Sequence, residues 1–300
     1  MYNAANYRSL TGGTRKNMTQ FDNRPIGVFD SGVGGLTVVR SLRSLIPDEE
    51  ILYFGDMARC PYGDRHPREV QQFSKEVLDF LYNQGVKALV VACNTATAAA
   101  LPILQARYPI PVIGVIQPGA RAAIRVTRTQ RIGVIGTAVT IQSSAYPKAV
   151  HHVAPDVEVF SEACPQFVPL VEQGLVAGAD VEAIVAESLA DLLRKDIDTL
   201  VLGCTHYPLL APTIQAVTGP NVQLISSAEQ TAEEVKALLR RSNSLHAPQD
   251  REARPSDRFY TSSDGSRMRR AIDLWLGDAG SPEFRAALVV PVQLQSAQSY

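Results

Sequence analysis

The chain has 300 residues with 29 basic and 30 acidic side chains, a formal net charge of −1. That balance offers no bulk positive charge to nucleic acid, and no apolar run reaches the roughly 18–20 residues that span a bilayer. Four cysteines without a C-x-x-C pair exclude a disulfide framework and a paired-cysteine zinc site, so a reducing, cytoplasmic setting is expected.

Residues 1–24 are polar and carry no apolar secretory segment, and are read as a flexible extension. Ile26–Phe29 then reads as a buried strand, and the turn Gly32-Val33-Gly34-Gly35 leads into a helix through Leu45. A second strand is expected at Ile51–Phe54. From Pro67 the residues Val70, Phe73, Val77 and Phe80/Leu81 share one helical face, and Gly85 ends the helix. Ala88–Ala92 and Val112–Val115 follow as strands.

The second half repeats the rhythm. Ile132–Ile135, Val157–Phe160 and Leu200–Leu202 read as strands. Asp180 is the expected cap of a helix striped by Val181, Ile184, Val185, Leu189, Leu192 and Leu193. Ser227 and Gln230 suggest a capping box for a helix through Leu239. Arg241–Arg258 reads as a mobile loop, followed by a strand at Phe259–Thr261 and a helix at Arg267–Leu276. Residues 280–300 read as a loose C-terminal tail. Apolar strands alternating with helices predict an α/β protein of doubly wound, mostly parallel sheets.

The chain also echoes itself. Arg24-Pro25-Ile26-Gly27-Val28-Phe29-Asp30-Ser31 resembles Gln130-Arg131-Ile132-Gly133-Val134-Ile135-Gly136-Thr137, and Ala88-Leu89-Val90-Val91-Ala92-Cys93-Asn94-Thr95 resembles Thr199-Leu200-Val201-Leu202-Gly203-Cys204-Thr205-His206. Two matches in the same order at nearly the same spacing predict two pseudosymmetric lobes with a central cleft. The expected division is 25–117 with 226–279 for the first lobe and 118–225 for the second. Each lobe then carries one cysteine just past the C-terminal end of a buried strand, where open α/β sheets place their ligands. A helix N-terminus at that point favours thiolate.

Two thiols on opposite sides of a cleft suit inversion of a carbon bearing hydrogen. One group removes the proton from one face while the other returns a proton to the opposite face. The ordinary thiol pKa of about 8.5 keeps both forms within reach of modest tuning. No lysine stands at a strand end among site-like neighbours, so no Schiff-base partner for pyridoxal phosphate is apparent. Neutralising the carboxylate through backbone N–H groups and Asn, Thr and Ser donors is the expected means of easing proton loss.

Five ordered motifs carry a resemblance: Gly27-Val28-Phe29-Asp30-Ser31-Gly32-Val33-Gly34-Gly35-Leu36-Thr37, Tyr53-Phe54-Gly55-Asp56 through Ala58-Arg59-Cys60-Pro61-Tyr62-Gly63, Ala92-Cys93-Asn94-Thr95-Ala96, Ala163-Cys164-Pro165 leading to Leu170-Val171-Glu172, and Gly203-Cys204-Thr205-His206-Tyr207-Pro208. From about residue 25 to 212 the chain resembles the glutamate racemases of the cofactor-independent aspartate/glutamate racemase superfamily. The similarity is weaker through residue 277. Met57 stands where that family commonly has threonine.

The resemblance implies that Cys93 and Cys204 are the acid/base pair, with Asp30 assisting Cys93 and His206 assisting Cys204. It implies that Asp30, Ser31, Tyr62, Gly63, Asn94, Thr95, Thr205 and His206 hold the substrate. Asp56 and Glu172 occur in family motifs as secondary acidic residues. The implied reaction converts L-glutamate to D-glutamate for peptidoglycan, without pyridoxal phosphate, flavin or metal. The implied partner is glutamate, with neither nucleic acid nor membrane; the sequence leaves self-association open, a homodimer included.

Other readings compete. Gly32-x-Gly34-Gly35 followed by Asp56 partly follows a nicotinamide dinucleotide fingerprint, but Thr37 holds the third glycine position and Asp30 opposes a pyrophosphate. A non-catalytic amino-acid binding protein would also have two lobes, yet it has no use for paired thiols. Aspartate and hydantoin racemases share the superfamily. Cys60 and Cys164, each followed by proline, are expected to be buried structural thiols.

Overall fold

Runs of apolar residues form strands and the stretches between them form helices over residues 21–248, 257–276 and 288–294, which this computed structural model describes. The strands are β1 (Ile26–Asp30), β2 (Ile51–Gly55), β3 (Ala88–Val91), β4 (Val112–Gly114) and β5 (Arg131–Gly136). They continue with β6 (Glu158–Ala163), β7 (Thr199–Gly203), β8 (Gln223–Ser226), β9 (Arg258–Thr261) and β10 (Leu288–Pro291). The helices are α1 (Leu36–Leu45), α2 (Pro67–Asn83), α3 (Asn94–Arg107), α4 (Ile116–Val126), α5 (Ala138–Gln142) and α6 (Ala145–Val153). After them come α7 (Phe167–Glu172), α8 (Ala179–Leu193), α9 (Ala211–Thr218), α10 (Ser227–Arg241) and α11 (Gly265–Trp275), with a 3₁₀ turn at Tyr207–Leu210.

Two parallel sheets result. One has the order β10-β9-β2-β1-β3-β4 and the other β6-β5-β7-β8. The internal echo is explained by this order, because β2-β1-β3-β4 and β6-β5-β7-β8 are the same arrangement built twice. β1 and β5 are the equivalent central strands, and β3 and β7 are their equivalent neighbours. Both faces of each sheet are covered, as strands without polar alternation require. Two apolar clusters sandwich the larger sheet and two the smaller.

The helices follow their side chains. On α2, Val70, Val77, Leu78 and Leu81 are fully buried, each worth about 1.5–3 kcal/mol of transfer from water. Pro67 sits in its first turn, and the His66 side chain accepts from Arg68 N while Glu69 accepts from His66 N. Helix α10 packs against both α1 and α4 and so spans the junction between the two sheets.

Several expectations shift. Gly178, at φ 112°, precedes α8, and Asp180 lies within its first turn rather than capping it; there its charge still complements the helix dipole. Ser226, one residue before the expected Ser227, caps α10 by accepting from Ala228 N. The tail is not wholly loose. Leu288–Pro291 pairs in parallel with β9, and Val289 and Val290 pack on opposite apolar clusters. Residues 280–287 and 295–300 lie outside the described residues. So do residues 1–20 of the extension and 249–256 of the expected mobile loop.

The described ends of those two segments are anchored to each other. Asp22 N donates to Leu245 O, and the buried Lys87 Nζ donates to the carbonyls of Asp22 and Ser244 while pairing with Glu49.

Candidate active site

Strand β3 ends at Val91, and Cys93 caps α3. Its Sγ accepts from Ala96 N at 3.4 Å, and its S–H donates to Ser31 Oγ at 3.5 Å, from the turn after β1. Burial pushes the Cys93 thiol up to about 12, and the nearby Asp30 carboxylate adds to that shift. The amide of Ala96 and the Ser31 hydroxyl act in the opposite sense, while the Cys204 sulfur makes a smaller contribution upward. The two sulfurs are therefore within electrostatic reach of each other.

Cys204 occupies the equivalent place after β7 and is buried. His206 Nδ1 lies 3.9 Å from Cys204 Sγ, and its Nε2 lies 2.8 Å from Glu172 Oε1 at the end of α7. Burial opposes a charge on His206, but the hydrogen bonds to Cys204 and Glu172 and the charge of Asp30 outweigh it. Its pKa is raised to about 10. The same His206 contact holds Glu172 below the usual carboxylate range, with Arg267 assisting. Arg267 Nη2, on α11, donates to Glu172 Oε2 at 2.7 Å. The Trp275 ring stands edge-on to His206 at 6.3 Å.

The two sheets meet at this point. Thr205 Oγ1 donates to Asp30 Oδ1 at 3.3 Å, and Asp30 Oδ2 accepts from Gly32 N at 3.0 Å. Burial raises the Asp30 carboxyl. Its carboxylate thus takes the turn amide that a pyrophosphate would need, which removes the physical basis of the dinucleotide reading. A Cβ on Gly34 would fall 2.3 Å from Thr205 Oγ1 and 2.7 Å from His206 Nδ1. Only glycine admits that approach.

The remaining expected residues also converge. Asn94 Nδ2 donates to Tyr146 OH at 2.8 Å, leaving Asn94 Oδ1 buried without a hydrogen-bond partner. Thr95 Oγ1 lies 2.9 Å from Thr137 Oγ1, and Gly63 O accepts from Val139 N at 3.2 Å. Asp56 stands one step back. It accepts from the Tyr62 hydroxyl, from Arg59 Nε at 2.7 Å and from Ser262 Oγ at 2.6 Å. The Tyr62 hydroxyl is thereby engaged within the protein.

Cys164 is buried, as expected, and its carbonyl accepts from Tyr207 OH. Cys60 departs from expectation: it is only partly buried, with its Sγ 2.9 Å from a Cβ built on Gly32. Burial and the Glu172 and Asp30 carboxylates push its thiol well up, which disfavours the reactive thiolate. Tyr146, Arg267 and Trp275 have no local signature in the sequence, whereas Thr137 stands opposite Ser31 in the internal echo. Each reaches the site from an element distant in the chain.

Residues 35–235 match the Asp/Glu/Hydantoin racemase family. The chain belongs to that family. This racemase is 55% identical over 254 residues to the glutamate racemase of Exiguobacterium sibiricum, covering 85% of this chain and 93% of that one. It is 49% identical over 252 residues to the glutamate racemase of Enterococcus faecalis, covering 84% and 92%. Among solved structures, glutamate racemase isoform RacE1 from Bacillus anthracis superposes with a TM-score of 0.85 at 46% identity, covering 91% of this chain and 100% of that one. The Francisella tularensis glutamate racemase in complex with D-glutamate gives 0.82 at 37% identity, covering 92% and 100%. Among the described residues of this racemase, no helix is long and apolar enough to cross a membrane.

Proposed function

We propose that this racemase interconverts L- and D-glutamate, with Cys93 and Cys204 as the two acid/base groups acting on opposite faces of Cα. The observation that carries the reading is the placement of the two thiols. They occupy equivalent positions after β3 and β7 of a duplicated arrangement, each with its own set of proton-handling neighbours. Cys93, held up by burial and Asp30, rests as the thiol and supplies a proton. His206 bears a proton at neutral pH and faces Cys204 Sγ, so a proton can pass between Nδ1 and sulfur.

Deprotonation at Cα builds negative charge on the substrate carboxylate. The amides at the start of α3 and the hydroxyls of Ser31 and Thr95 are suited to receive it. The buried Asn94 Oδ1, aimed by the Tyr146 hydrogen bond, is free to accept from the substrate ammonium. Asp30 serves beside Cys93, and its bond to Thr205 keeps the two sheets together around the substrate. We take 25–117 with 226–279 and 118–225 as the two lobes that close on it, excluding water. The product would serve peptidoglycan synthesis in the cytoplasm, where the four free thiols stay reduced.

The test follows optical rotation or circular dichroism of each glutamate enantiomer in deuterated water. Both enantiomers are expected to converge on a racemic mixture, with solvent deuterium at Cα of the product. Loss of optical activity with aspartate but not with glutamate would overturn the substrate assignment. Racemisation without Cα deuterium would overturn the two-base scheme.

A further inference from the structure

Glu172 has two oxygens and two different jobs. Oε1 takes the His206 Nε2 contact, and Oε2 takes Arg267 Nη2. His206 follows β7 of the smaller sheet, whereas Arg267 lies on α11, which follows β9 of the larger one. Trp275, on the same helix, reaches the His206 ring and packs on apolar clusters of both sheets. α11 therefore braces the Cys204 side of the site from the opposite sheet, at two places.

We infer that Arg267 is a positioning residue that acts through Glu172. It holds the carboxylate as an acceptor for His206 Nε2–H, so that the proton exchanged with Cys204 is the one on Nδ1. The inference rests on the two-thiol reading above and adds a member to it. Its chemistry is simple. A carboxylate already bound to a guanidinium is a poorer base, so it orients the imidazolium without taking its proton. The same ion pair joins α7 to α11 and so ties the two sheets together beside His206.

Among the described residues, the other charged or titratable groups around Glu172, Arg267 and their partners include Tyr53 on β2, Cys60 after β2, Asp30 at the end of β1, and Asp264 and Arg270 at the start of α11. Cys60 and Tyr53 are pushed upward and stay neutral near pH 7. Asp264 lies at the surface and faces Arg267. The ionic partners of Glu172 near neutrality are thus His206 and Arg267.

The Arg267 side chain is half exposed, so its loss should cost little stability, and Arg267→Gln is expected to fold. Three measurements on Arg267→Gln, Arg267→Lys and Glu172→Gln test the inference. In ligand-free protein, the Glu172 carboxyl followed by carbon NMR should titrate about half a pH unit higher in Arg267→Gln than in the natural chain. In turnover, kcat should fall roughly fivefold, of the order that a partly exposed ion pair supplies. The acid limb of the pH profile should move upward with it, and Arg267→Lys should restore most of both.

In a Glu172→Gln background, Arg267→Gln should have no further effect on kcat. Additive losses in that background, or an unmoved Glu172 titration, would overturn the inference. The NMR arm needs no substrate. A natural chain inactive on glutamate with a shifted Glu172 titration would therefore fault the substrate reading and leave the Arg267 contact standing.

Discussion

Thr205 Oγ1 donates to Asp30 Oδ1 across the boundary between the two sheets, over 3.3 Å. The donor follows β7 and the acceptor ends β1. One hydrogen bond therefore joins the turn bearing the Cys204 thiol to the carboxylate that raises the Cys93 thiol. The surroundings of the two thiols are thus linked across the sheets by a single contact.

The Cys93 and Cys204 thiols are expected to be individually indispensable. Cys93→Ser and Cys204→Ser keep the size of the side chain but replace a thiol with a hydroxyl that is a far weaker acid. Positioned acid/base groups contribute roughly 10²–10⁴-fold, and racemisation by either variant should fall within or beyond that range. Circular dichroism of the glutamate solution measures it. Near-natural turnover in either variant would leave a one-base mechanism.

Asp30→Asn tests the electrostatic link. The Asp30 carboxylate is the second cause, after burial, of the raised Cys93 thiol. Removing the charge while keeping the shape should lower the pH at which Cys93 reacts with iodoacetamide. Peptide mass spectrometry resolves Cys93 from the other three cysteines. An unchanged alkylation profile would mean that burial alone sets its acidity. Racemisation should drop in the same variant, because the Thr205 and Gly32 donors lose their charged acceptor.

His206 gives stability a pH dependence with a defined sign. Its folded pKa, about 10, lies above the usual histidine value of 6.5, so the folded state binds the extra proton. That contribution is fully present below about pH 6.5 and is lost as pH rises through 10. Cys93, raised from 9.0 to about 12, adds a loss of the same sign at higher pH. Melting temperature should therefore decline from pH 7 to pH 10, and His206→Gln should flatten the decline. An equally steep decline in His206→Gln would place the linkage elsewhere.

The parts of the molecule differ in how openly the sequence carries them. Strand and helix positions follow from short-range patterns: Ile26-Gly27-Val28-Phe29 and Ala88-Leu89-Val90-Val91 are continuous apolar runs, and both form interior strands of the larger sheet. The duplicated arrangement is legible because β1 and β5, and β3 and β7, keep similar residues. Cys93 and Cys204 stand out for the same reason. Glu172 and Arg267 are different. They are separated by 95 residues, and nothing in the local pattern around either points to the other. Tyr146 is equally silent, since an aromatic on a helix face usually means packing, and its hydrogen bond to Asn94 exists only once the two sheets are side by side. β10 escapes notice because four residues at a sheet edge carry little periodicity.

Gly34→Ala addresses lobe closure directly. A methyl group there would meet Thr205 Cβ at 2.9 Å as well as the Thr205 hydroxyl and His206. The Thr205 Cβ is fixed by its backbone and cannot turn aside as a long side chain could, so relief must come from moving the two turns apart. That motion would stretch the Thr205–Asp30 bond and draw the lobes open, with the six-stranded sheet and its core untouched. The expected result is at least a tenfold fall in kcat/KM, about 1.4 kcal/mol of lost transition-state stabilisation, with a small change in melting temperature. Trp275, the single tryptophan of the chain, packs between both cores beside His206 and reports the same event by fluorescence. Its emission should move toward that of solvent-exposed indole in Gly34→Ala, and D-glutamate should reverse the shift in part. Natural activity together with natural Trp275 emission would show that the turn absorbs the methyl without parting the lobes, and closure would then have to be governed by another contact.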